Sequence, residues 1–341
     1  MSPIPDAGGA PERLRVGVCG LGSIGLRHAR LLAESPGVQV AGFDAAPHGL
    51  RLPPAVEANL TIVPSFEELL DAAPDGLVVA TPDALHAPQA IEACRRGTAV
   101  LVEKPVADSV AAAEELARVA AQSGARVLVG YVLRHYAVLR RVRELLTDGA
   151  VGTPVSVHVN LGAYETLRVA RNRFSGTDRY RLPYDYSHEW DYLQWLLGPA
   201  AEVAAVARLA GDLPLRQDPN VINGVVAFAS GVTGTFHLDY VQEGQGRRLD
   251  VVGDRGTLRA DLARGRVTVR AHADALTRSY DCSEERDVAF GRQLSHFLDV
   301  VRGVAVPLVS VEDGIRALRV ADAVVAACDG AGWRSVDVRI Q

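Results

Sequence analysis

Cysteine pairs, long hydrophobic runs and targeting signals are missing from this sequence of 341 residues. Its four cysteines are scattered with no C-x-x-C pair, which excludes a disulfide framework and a zinc ribbon. No apolar run approaches the roughly 20 residues that a membrane span needs, and the first residues show no basic-then-apolar signal pattern. We therefore expect a cytoplasmic protein without a membrane partner.

The charge balance and the histidine pattern exclude two further classes of protein. The chain carries 36 basic and 41 acidic residues, a net charge of −5, whereas nucleic-acid binding needs a basic surface. Its nine histidines form neither H-x-H nor H-E-x-x-H, so no metal site is predicted. With 48% apolar and 23% charged residues the composition is globular, and the length predicts about two domains.

Lysine is nearly absent. Lysine and arginine together number 36, and Lys104 is the only lysine among them. Arginine keeps its proton in proteins, whereas an ammonium group can lose one when its surroundings shift its pKa. Either Lys104 is kept for a chemical reason, or one neutral lysine survives by chance, and the residues around it distinguish these interpretations.

The first part of the sequence alternates short apolar runs with helical patterns. The runs are rich in Val and Leu and barely alternate, as expected for strands buried on both faces. They cover residues 14–20, 38–44, 60–63, 76–82, 99–105 and 125–131. Ser65 with Glu68 forms a capping box, and an alanine-rich helical stretch covers 109–123. This order predicts an α/β fold, a doubly wound parallel sheet of the Rossmann type over 13–131, after a disordered tail over 1–12.

The second part, over 132–341, predicts an α+β domain with an open, largely antiparallel sheet. The predicted strands cover 155–164, 221–228, 232–241, 247–253 and 256–262. The predicted helices cover about 136–148, 184–197, 287–302 and 311–329. An open sheet with one apolar face needs cover, so we expect a homodimer or homotetramer formed through that sheet.

A glycine-rich turn stands where the first strand meets the first helix. Gly20, Gly22 and Gly25 form a G-x-G-x-x-G, in which Ser23 and Ile24 complete the turn. Gly20 permits the tight turn, Gly22 lets the backbone approach a pyrophosphate, and Gly25 lets helix and strand pack closely. The helix N-terminus offers N–H groups to the phosphates. The context predicts a dinucleotide site.

An acidic residue at the end of the second strand bears on which dinucleotide binds. Asp44 stands 19 positions beyond Gly25, near the spacing expected for a carboxylate that binds the ribose. A carboxylate there accepts ribose hydroxyls and repels a 2′-phosphate, which favours NAD over NADP. Two alternatives stay open: Asp44 caps a turn, or the nearby Arg51 allows NADP.

The single lysine lies at the carboxyl end of the fifth strand, between Glu103 and Pro105. Ligands of open α/β sheets bind outside the carboxyl ends of the strands. Thr81 and Pro82 end the fourth strand and His86 follows them, so we expect these residues to border the same crevice. Lys104 is therefore expected at the mouth of the cofactor cleft, which favours a chemical role for this lysine over its survival by chance.

Five stretches of the sequence resemble the glucose–fructose oxidoreductase/inositol dehydrogenase family, Gfo/Idh/MocA. They are G-L-G-S-I-G, T-P-D-A-L-H-A-P, V-E-K-P, V-G-Y-V-L-R and D-Y-S-H-E-W-D-Y-L-Q-W-L-L-G. The resemblance covers nearly the whole chain and implies a two-domain NAD(P)-dependent oxidoreductase. It implies that Lys104 and His188 touch the reacting hydroxyl or carbonyl.

Proton chemistry agrees with these roles. The pKa of an unperturbed histidine, about 6.5, suits proton exchange with a substrate oxygen near neutrality, and the ammonium of Lys104 would stabilise negative charge on that oxygen. On one continuous helix Asp185 and His188 share a face, which predicts that Asp185 either orients His188 or binds a substrate hydroxyl. Without the resemblance, a surface helix histidine paired with Asp185 or Asp191 is the preferred interpretation of His188.

The sequence departs from the family pattern at two positions. Many members place an aspartate four residues before the histidine, where this chain has Tyr184, whereas Asp185 matches a branch with D-x-x-H-E-x-D. Whether Tyr184 or Asp185 assists the proton transfer stays open. The position after T-P, often asparagine in the family, is Asp83 here.

Aromatic and arginine residues hint at the substrate. Aromatic faces suit a sugar or cyclitol ring, and arginines suit a carboxylate or a nucleotide diphosphate, although a core helix beside a solvated arginine loop explains most of them equally well. The arginines are Arg168, Arg171, Arg173, Arg179 and Arg181, and the aromatics between Tyr164 and Trp195 include Phe174. Outside the helix, Arg134 and Tyr164 are the predicted substrate contacts.

We therefore expect hydride transfer between NAD and a secondary hydroxyl or ketone of a sugar, nucleotide sugar or cyclitol. Two alternatives remain: a lyase or glycosidase that keeps NAD bound and uses transient oxidation, and a non-catalytic NAD sensor. A sensor does not need a proton-transfer pair, so Lys104 and His188 argue against it.

Overall fold

The computed structural model describes residues 13–46, 54–169, 180–273, 276–330 and 332–337. The chain forms two compact units. One takes the chain up to Gly130 together with Phe290–Val311, and the other takes Tyr131–Ala289 together with the chain from Glu312. The predicted tail over 1–12 lies outside the described residues.

A parallel sheet forms the centre of the amino-terminal unit. Its described strands are β1 (Leu14–Cys19), β2 (Val38–Phe43), β3 (Leu60–Ile62), β4 (Gly76–Val79), β5 (Ala99–Val102) and β6 (Val127–Val129). Their order across the sheet is β3-β2-β1-β4-β5-β6, with every pairing parallel. Their side chains are mostly buried, because helices cover both faces of such a sheet. The predicted doubly wound fold is confirmed.

Helices connect these strands. They are α1 (Ser23–Ala33), α2 (Pro54–Glu57), α3 (Phe66–Asp71), α4 (Asp83–Arg95) and α5 (Val110–Ser123). The hydroxyl of Ser65 accepts the N–H of Glu68 at 3.0 Å, so α3 begins where the capping box predicts. Ser109 caps α5, which ends at Gly124 with φ +71°. The crossovers bring the carboxyl ends of the strands to one edge of the sheet.

The carboxy-terminal unit contains a mixed sheet. Its helices are α6 (Ala137–Thr147), α7 (Glu165–Val169), α8 (Leu182–Asp185), α9 (Ser187–Leu197), α10 (Arg286–Val301, which continues into the other unit) and α11 (Val311–Asp329). Its strands are β7 (Pro154–Gly162), β8 (Ala200–Arg208), β9 (Val221–Phe228), β10 (Thr233–Asp239), β11 (Gly246–Gly253), β12 (Gly256–Asp261), β13 (Arg266–Ala271), β14 (Thr277–Asp281) and β15 (Arg334–Ser335).

Among the described residues these strands pair in the order β14-β13-β12-β11-β7-β10-β9-β8-β15. Only β7 and β10 run parallel, so the predicted largely antiparallel sheet is confirmed for the described chain. Strands β8, β13, β14 and β15 extend it beyond the predicted segments.

The two faces of this sheet differ in polarity. On β7, Val157 and Val159 are buried while His158 and Asn160 are exposed. Helix α9 covers the apolar face, where Trp190 packs edge-on against Phe236 at 5.1 Å between ring centroids. The opposite face of the central strands is polar. The predicted oligomer rests on an apolar sheet face that the chain leaves uncovered. In the structure the chain's own helices cover that face. Oligomerisation therefore stays a prediction, and the apolar face no longer supports it.

Two boundaries differ from those predicted. The helix predicted over 184–197 is interrupted at Tyr186, which has φ −98° and ψ 26°, so Asp185 ends α8 and His188 belongs to α9. A single cut after residue 131 also fails to describe Phe290–Val311, which belongs to the amino-terminal unit. The N–H of Val129 on β6 donates to the carbonyl of Val309, extending that unit's hydrogen bonding.

Candidate active site

The glycine turn between β1 and α1 fits a dinucleotide. Gly20 has φ +86°, and a Cβ on it would lie 2.7 Å from the carbonyl oxygen of Ala80. A Cβ on Gly25 would collide with the carbonyl oxygen of Gly20, whereas a Cβ on Gly22 would have no atom within 4 Å. Gly20 and Gly25 are therefore required by close packing. Gly22 leaves open space in front of α1, as a pyrophosphate needs.

Helix α1 begins inside this turn. Gly22 is its N-cap and supplies no side chain to the first N–H groups, which belong to Ser23, Ile24 and Gly25. The first N–H groups of a helix have no partner within the helix, and with the positive end of the helix dipole they favour a bound phosphate. The predicted phosphate contacts thus lie together on one helix end.

Asp44 directly follows β2 and holds the glycine turn. Its Oδ2 accepts the N–H of Leu21 at 2.7 Å, and its Oδ1 accepts the N–H of Ala46 at 2.8 Å. Asp44 therefore caps a turn, as one alternative held. Each carboxylate oxygen has a second lone pair, so the half-buried group still offers acceptors to a ribose. Arg51 lies outside the described residues.

Glu103 connects the end of β5 to helix α1. Its Oε1 lies 2.8 Å from Nε2 of the fully buried His28, and its Oε2 accepts the N–H of Lys104 at 3.2 Å. Burial raises the pKa of Glu103, but the hydrogen bond and charge of His28 outweigh burial, and the pKa is lowered. Gly130 leaves room for this carboxylate, since a Cβ there would lie 2.9 Å from its Cδ. Glu103 thus fixes the backbone at Lys104.

His86 holds two loops at the carboxyl edge of the sheet. Its ring is buried, with Nδ1 2.7 Å from the carbonyl oxygen of Pro105 and Nε2 2.8 Å from that of Thr81. The hydroxyl of Thr81 donates to Oε1 of Gln89 at 2.7 Å, and Pro82 precedes α4 as its N-cap. Both ring nitrogens of His86 face backbone carbonyls, so this geometry supports a positioning role rather than the predicted cofactor contact.

His188 lies in the first turn of α9 in the carboxy-terminal unit. It is half-buried, and its ring meets that of Tyr131 edge-on, with centroids 5.5 Å apart. Tyr131 is fully buried. This aromatic contact limits the orientations open to the imidazole.

Two buried ion pairs fix helix α9. Glu189, next to His188, accepts two hydrogen bonds from Arg247 at 2.7 and 2.9 Å. Asp191 accepts two from Arg134 at 3.0 and 2.6 Å. Buried charges are tolerated when paired in this way. Both faces of the helix are thereby tied to the rest of the unit.

Arg134, a predicted substrate contact, is paired with two carboxylates of its own unit. Its buried guanidinium is held by Asp191 and also lies 3.2 Å from Oδ1 of Asp313. Burial raises the pKa of Asp191 to about 6, and the Arg134 guanidinium opposes that rise. A buried guanidinium that pairs with two carboxylates supports a structural role for Arg134, and the predicted substrate contact stays a prediction.

Tyr184 and Asp185, the two predicted helpers of His188, each have another partner. Oδ2 of Asp185 accepts the hydroxyl of Tyr240 at 2.6 Å, and its Oδ1 accepts Nε of Arg181 at 3.1 Å. The hydroxyl of Tyr184 donates to Asp322 at 2.6 Å, and burial together with that carboxylate raises the pKa of Tyr184. The role of either residue in proton transfer stays a prediction.

Tyr164 follows β7, and its ring is buried beneath an arginine. The Arg168 guanidinium lies 4.6 Å from the ring centroid, and the Tyr164 hydroxyl accepts the N–H of Leu215 at 3.1 Å. Four residues of the predicted substrate segment lie outside the described chain: Arg171, Arg173, Phe174 and Arg179.

Two family models together match most of the chain. An oxidoreductase family with an NAD-binding Rossmann fold, Gfo/Idh/MocA, matches residues 14–131, and the C-terminal alpha/beta domain of that family matches residues 143–336. The chain belongs to this family. The family's first domain makes the amino-terminal half the NAD-binding domain of an NAD-dependent oxidoreductase.

Individual relatives of the Gfo/Idh/MocA family match over similar lengths. Inositol 2-dehydrogenase 1 of Saccharopolyspora erythraea is 31% identical over 335 residues, 91% of this chain and 92% of the relative. A 1,5-anhydro-D-fructose reductase of Ensifer adhaerens is 27% identical over 276 residues, 78% and 81% of the two chains. The crystal structure of an Agrobacterium radiobacter oxidoreductase with NAD⁺, L-tartaric acid and magnesium has a TM-score of 0.84 at 16% identity, covering 95% and 98%. It supports the fold.

Sequence reasoning missed three residues that organise this family site: His28, Glu189 and Arg247. Their partners lie 75 and 58 positions away in sequence, so spacing alone cannot pair them. For His28 the available signal was an ionisable side chain among the apolar residues of the first helix, because a buried ionisable group requires a partner. Glu189 and Arg247 have polar neighbours in the sequence and give no such signal.

Two features are absent from the described part of the chain. None of its helices is long and apolar enough to cross a membrane. No group of three or more His, Cys, Asp or Glu side chains in that part of the chain is arranged to hold a metal ion, so the prediction of no metal site meets no contrary observation there.

Proposed function

We propose that this protein transfers a hydride between NAD and a secondary hydroxyl or ketone of a sugar, nucleotide sugar or cyclitol, with Lys104 and His188 acting on the reacting oxygen. The observation that carries the proposal is the buried hydrogen bond between Glu103 and His28. It joins the helix of the glycine turn to the residue before the only lysine. The backbone of the only lysine is thereby held beside the glycine turn's helix in the amino-terminal unit.

The chemistry divides between the cofactor and two side chains. Bound NAD supplies the hydride acceptor or donor, held by the glycine turn and Asp44. During oxidation of an alcohol the hydroxyl proton passes to the His188 imidazole, and the Lys104 ammonium stabilises the negative charge that develops on the oxygen. During reduction the imidazolium returns the proton. Glu103 and His86 hold the loops that carry Lys104.

The substrate class follows from chemistry shared with the relatives. The names of two of them specify an inositol and an anhydro sugar, which are polyhydroxylated rings. Hydroxyl, carboxylate and amide groups dominate the described side chains around α7 and the start of β11, which suits hydrogen bonding to such rings.

Lys104→Arg tests the assignment of lysine. Arginine keeps the positive charge, but its planar guanidinium is larger than an ammonium and spreads the charge over three nitrogens, so it cannot replace the compact charge beside the reacting oxygen; we expect kcat for NAD reduction by polyols to fall at least about 100-fold. NAD affinity, measured by fluorescence titration, should stay within about threefold. Normal turnover of this variant would refute the role of Lys104.

His188→Asn supplies the second arm, with His158→Asn as its matched control. His158 is an exposed histidine of the same unit, on β7 and 2.8 Å from the Thr235 hydroxyl, and its replacement should leave kcat unchanged. If Lys104 and His188 act on one oxygen, the double variant Lys104→Arg/His188→Asn should lose little more than the worse single variant. Additive losses would contradict shared action.

The same assays separate the alternatives. Product formed without net NADH, followed at the NADH absorbance, would replace the dehydrogenase with a lyase or glycosidase using transient oxidation. Tight NAD binding with no turnover of any polyol, inositol or uronic acid would favour the sensor.

A further inference from the structure

A cavity of about 470 Å³ opens in the carboxy-terminal unit, between the start of α7 and the loop before β11. Its wall includes the side chains of Glu165, Thr166, Arg168, Glu243 and Gln245. Each of them offers a polar group, so the cavity suits a ligand rich in hydroxyls. Neither the family match nor the sequence motifs account for these wall residues.

The cavity wall is connected to the helix of His188. The Thr166 hydroxyl lies 3.2 Å from the hydroxyl of Tyr186. Tyr186 is the N-cap of α9, and His188 is the second residue of that helix. A ligand that contacts Thr166 is therefore one side chain away from the start of the helix that carries the proposed base.

Arg168 is the positively charged residue of the cavity wall, and its guanidinium is already paired with carboxylates. Its Nη2 lies 2.6 Å from Oε1 of Glu243 and its Nη1 lies 3.2 Å from Oε2, in a bidentate pair. Glu165 adds a second carboxylate at 3.3 Å. One positive and two negative charges leave this group with a net charge of −1. The stacking of Arg168 on Tyr164 holds the guanidinium in that position.

We propose that this cavity binds an uncharged polyhydroxylated ring and that Glu243, by occupying Arg168, rejects ligands that carry a carboxylate or a phosphate. Specificity of this kind needs a repulsive element as well as favourable contacts. The carboxylates of Glu165 and Glu243 supply the repulsion, and their remaining lone pairs accept ring hydroxyls. The inference rests on the proposed function, because it names the substrate class of that reaction.

The test compares myo-inositol with D-glucuronate as probes. We expect wild-type enzyme to favour myo-inositol in kcat/KM. Glu243→Gln should raise the ratio of kcat/KM for D-glucuronate to kcat/KM for myo-inositol about fivefold, the size expected for an exposed charge pair. Arg168→Gln should lower that ratio, because two carboxylates then stand without their cation. Glu115→Gln, which removes a carboxylate paired with Arg118 on α5, should leave it unchanged.

Calorimetric binding of both probes in the presence of NADH separates this inference from the proposed reaction. If neither probe reduces NAD, the proposed reaction is judged by the wider set of polyols, inositols and uronic acids, and the ratio of the two binding constants alone judges the cavity. Wild-type preference for D-glucuronate, or a ratio that Glu243→Gln does not change, overturns the inference. A D-glucuronate to myo-inositol ratio that rises with Glu243→Gln and falls with Arg168→Gln supports the inference.

Discussion

Asp44 caps the glycine turn, and its geometry leaves the predicted ribose contact open as well. Its oxygens accept the N–H groups of Leu21 and Ala46, which fixes the glycine turn. The lone pairs that remain are available to a ribose. A variant at this residue therefore affects both loop and ligand, and only a comparison between two cofactors separates the effects.

Asp44→Ala should weaken NAD binding about tenfold or more, because hydrogen bonds to a charged group contribute about 1.5–3 kcal/mol. NADP binding should weaken less, because removal of the carboxylate also removes repulsion of the 2′-phosphate. Fluorescence titration of both cofactors measures the two dissociation constants. Asp44→Asn, which keeps an oxygen acceptor without the charge, is the control. Equal losses for both cofactors would show that Asp44 acts only on the loop.

Residues in local motifs are predictable from sequence, whereas residues that act through distant partners are not. Gly20 and Gly25 pack as the motif predicts and Gly22 faces open space, because the turn and the helix start are local structures. Arg134 carried a predicted substrate role, but its buried guanidinium pairs with carboxylates 57 and 179 positions away. Long-range ion pairs leave no periodic signal in a sequence.

At the scale of elements, the hydrophobic pattern predicts the strands well, but it predicts interruptions within helices poorly. The six parallel strands follow from apolar runs that need cover on both faces. The interruption at Tyr186 has no such signal, since neither glycine nor proline occurs within residues 184–197. The Tyr186 hydroxyl donates to the carbonyl of Asp239 at 3.2 Å, so a tertiary contact accompanies the change of direction.

Helix α9 offers a prediction about stability. Glu189 is fully buried and Arg247 nearly so. Glu189→Leu should lower the free energy of unfolding by about 3–5 kcal/mol, because it leaves the Arg247 guanidinium buried without its carboxylate. Urea unfolding followed by circular dichroism measures the loss.

The double variant Glu189→Leu/Arg247→Met distinguishes a charge effect from a packing effect. Replacement of both charges by apolar groups is often neutral, so the double variant should be more stable than Glu189→Leu alone. Glu115→Gln, at an exposed pair on α5, should change stability far less. A double variant less stable than either single variant would indicate that packing, and not the unpaired charge, is responsible.

Each of the two units holds a carboxylate whose pKa is lowered. One in the amino-terminal unit is Glu103, whose pKa is lowered by His28 and by the hydrogen bond from the Lys104 N–H. In the carboxy-terminal unit it is Asp239, where burial raises the pKa but the hydrogen bonds from His237 and from the N–H groups of Gln242 and Val241 outweigh it. These N–H groups both lie 2.6 Å from Oδ1 of Asp239. Acid therefore acts on both units through the same kind of group.

A carboxylate with a lowered pKa in the folded state adds stability above its unfolded pKa, about 4.3 for Glu and 3.9 for Asp, and that stability is lost as pH falls through the folded pKa. We therefore expect the melting temperature of the whole protein to decrease once the pH drops under about 4.5. Calorimetry between pH 7 and pH 3 measures this decrease. Glu103→Gln and Asp239→Asn should each lower stability at pH 7 and flatten the acid decline, because the group that takes up the proton is gone. A decline with unchanged slope in both variants would assign acid sensitivity to other groups.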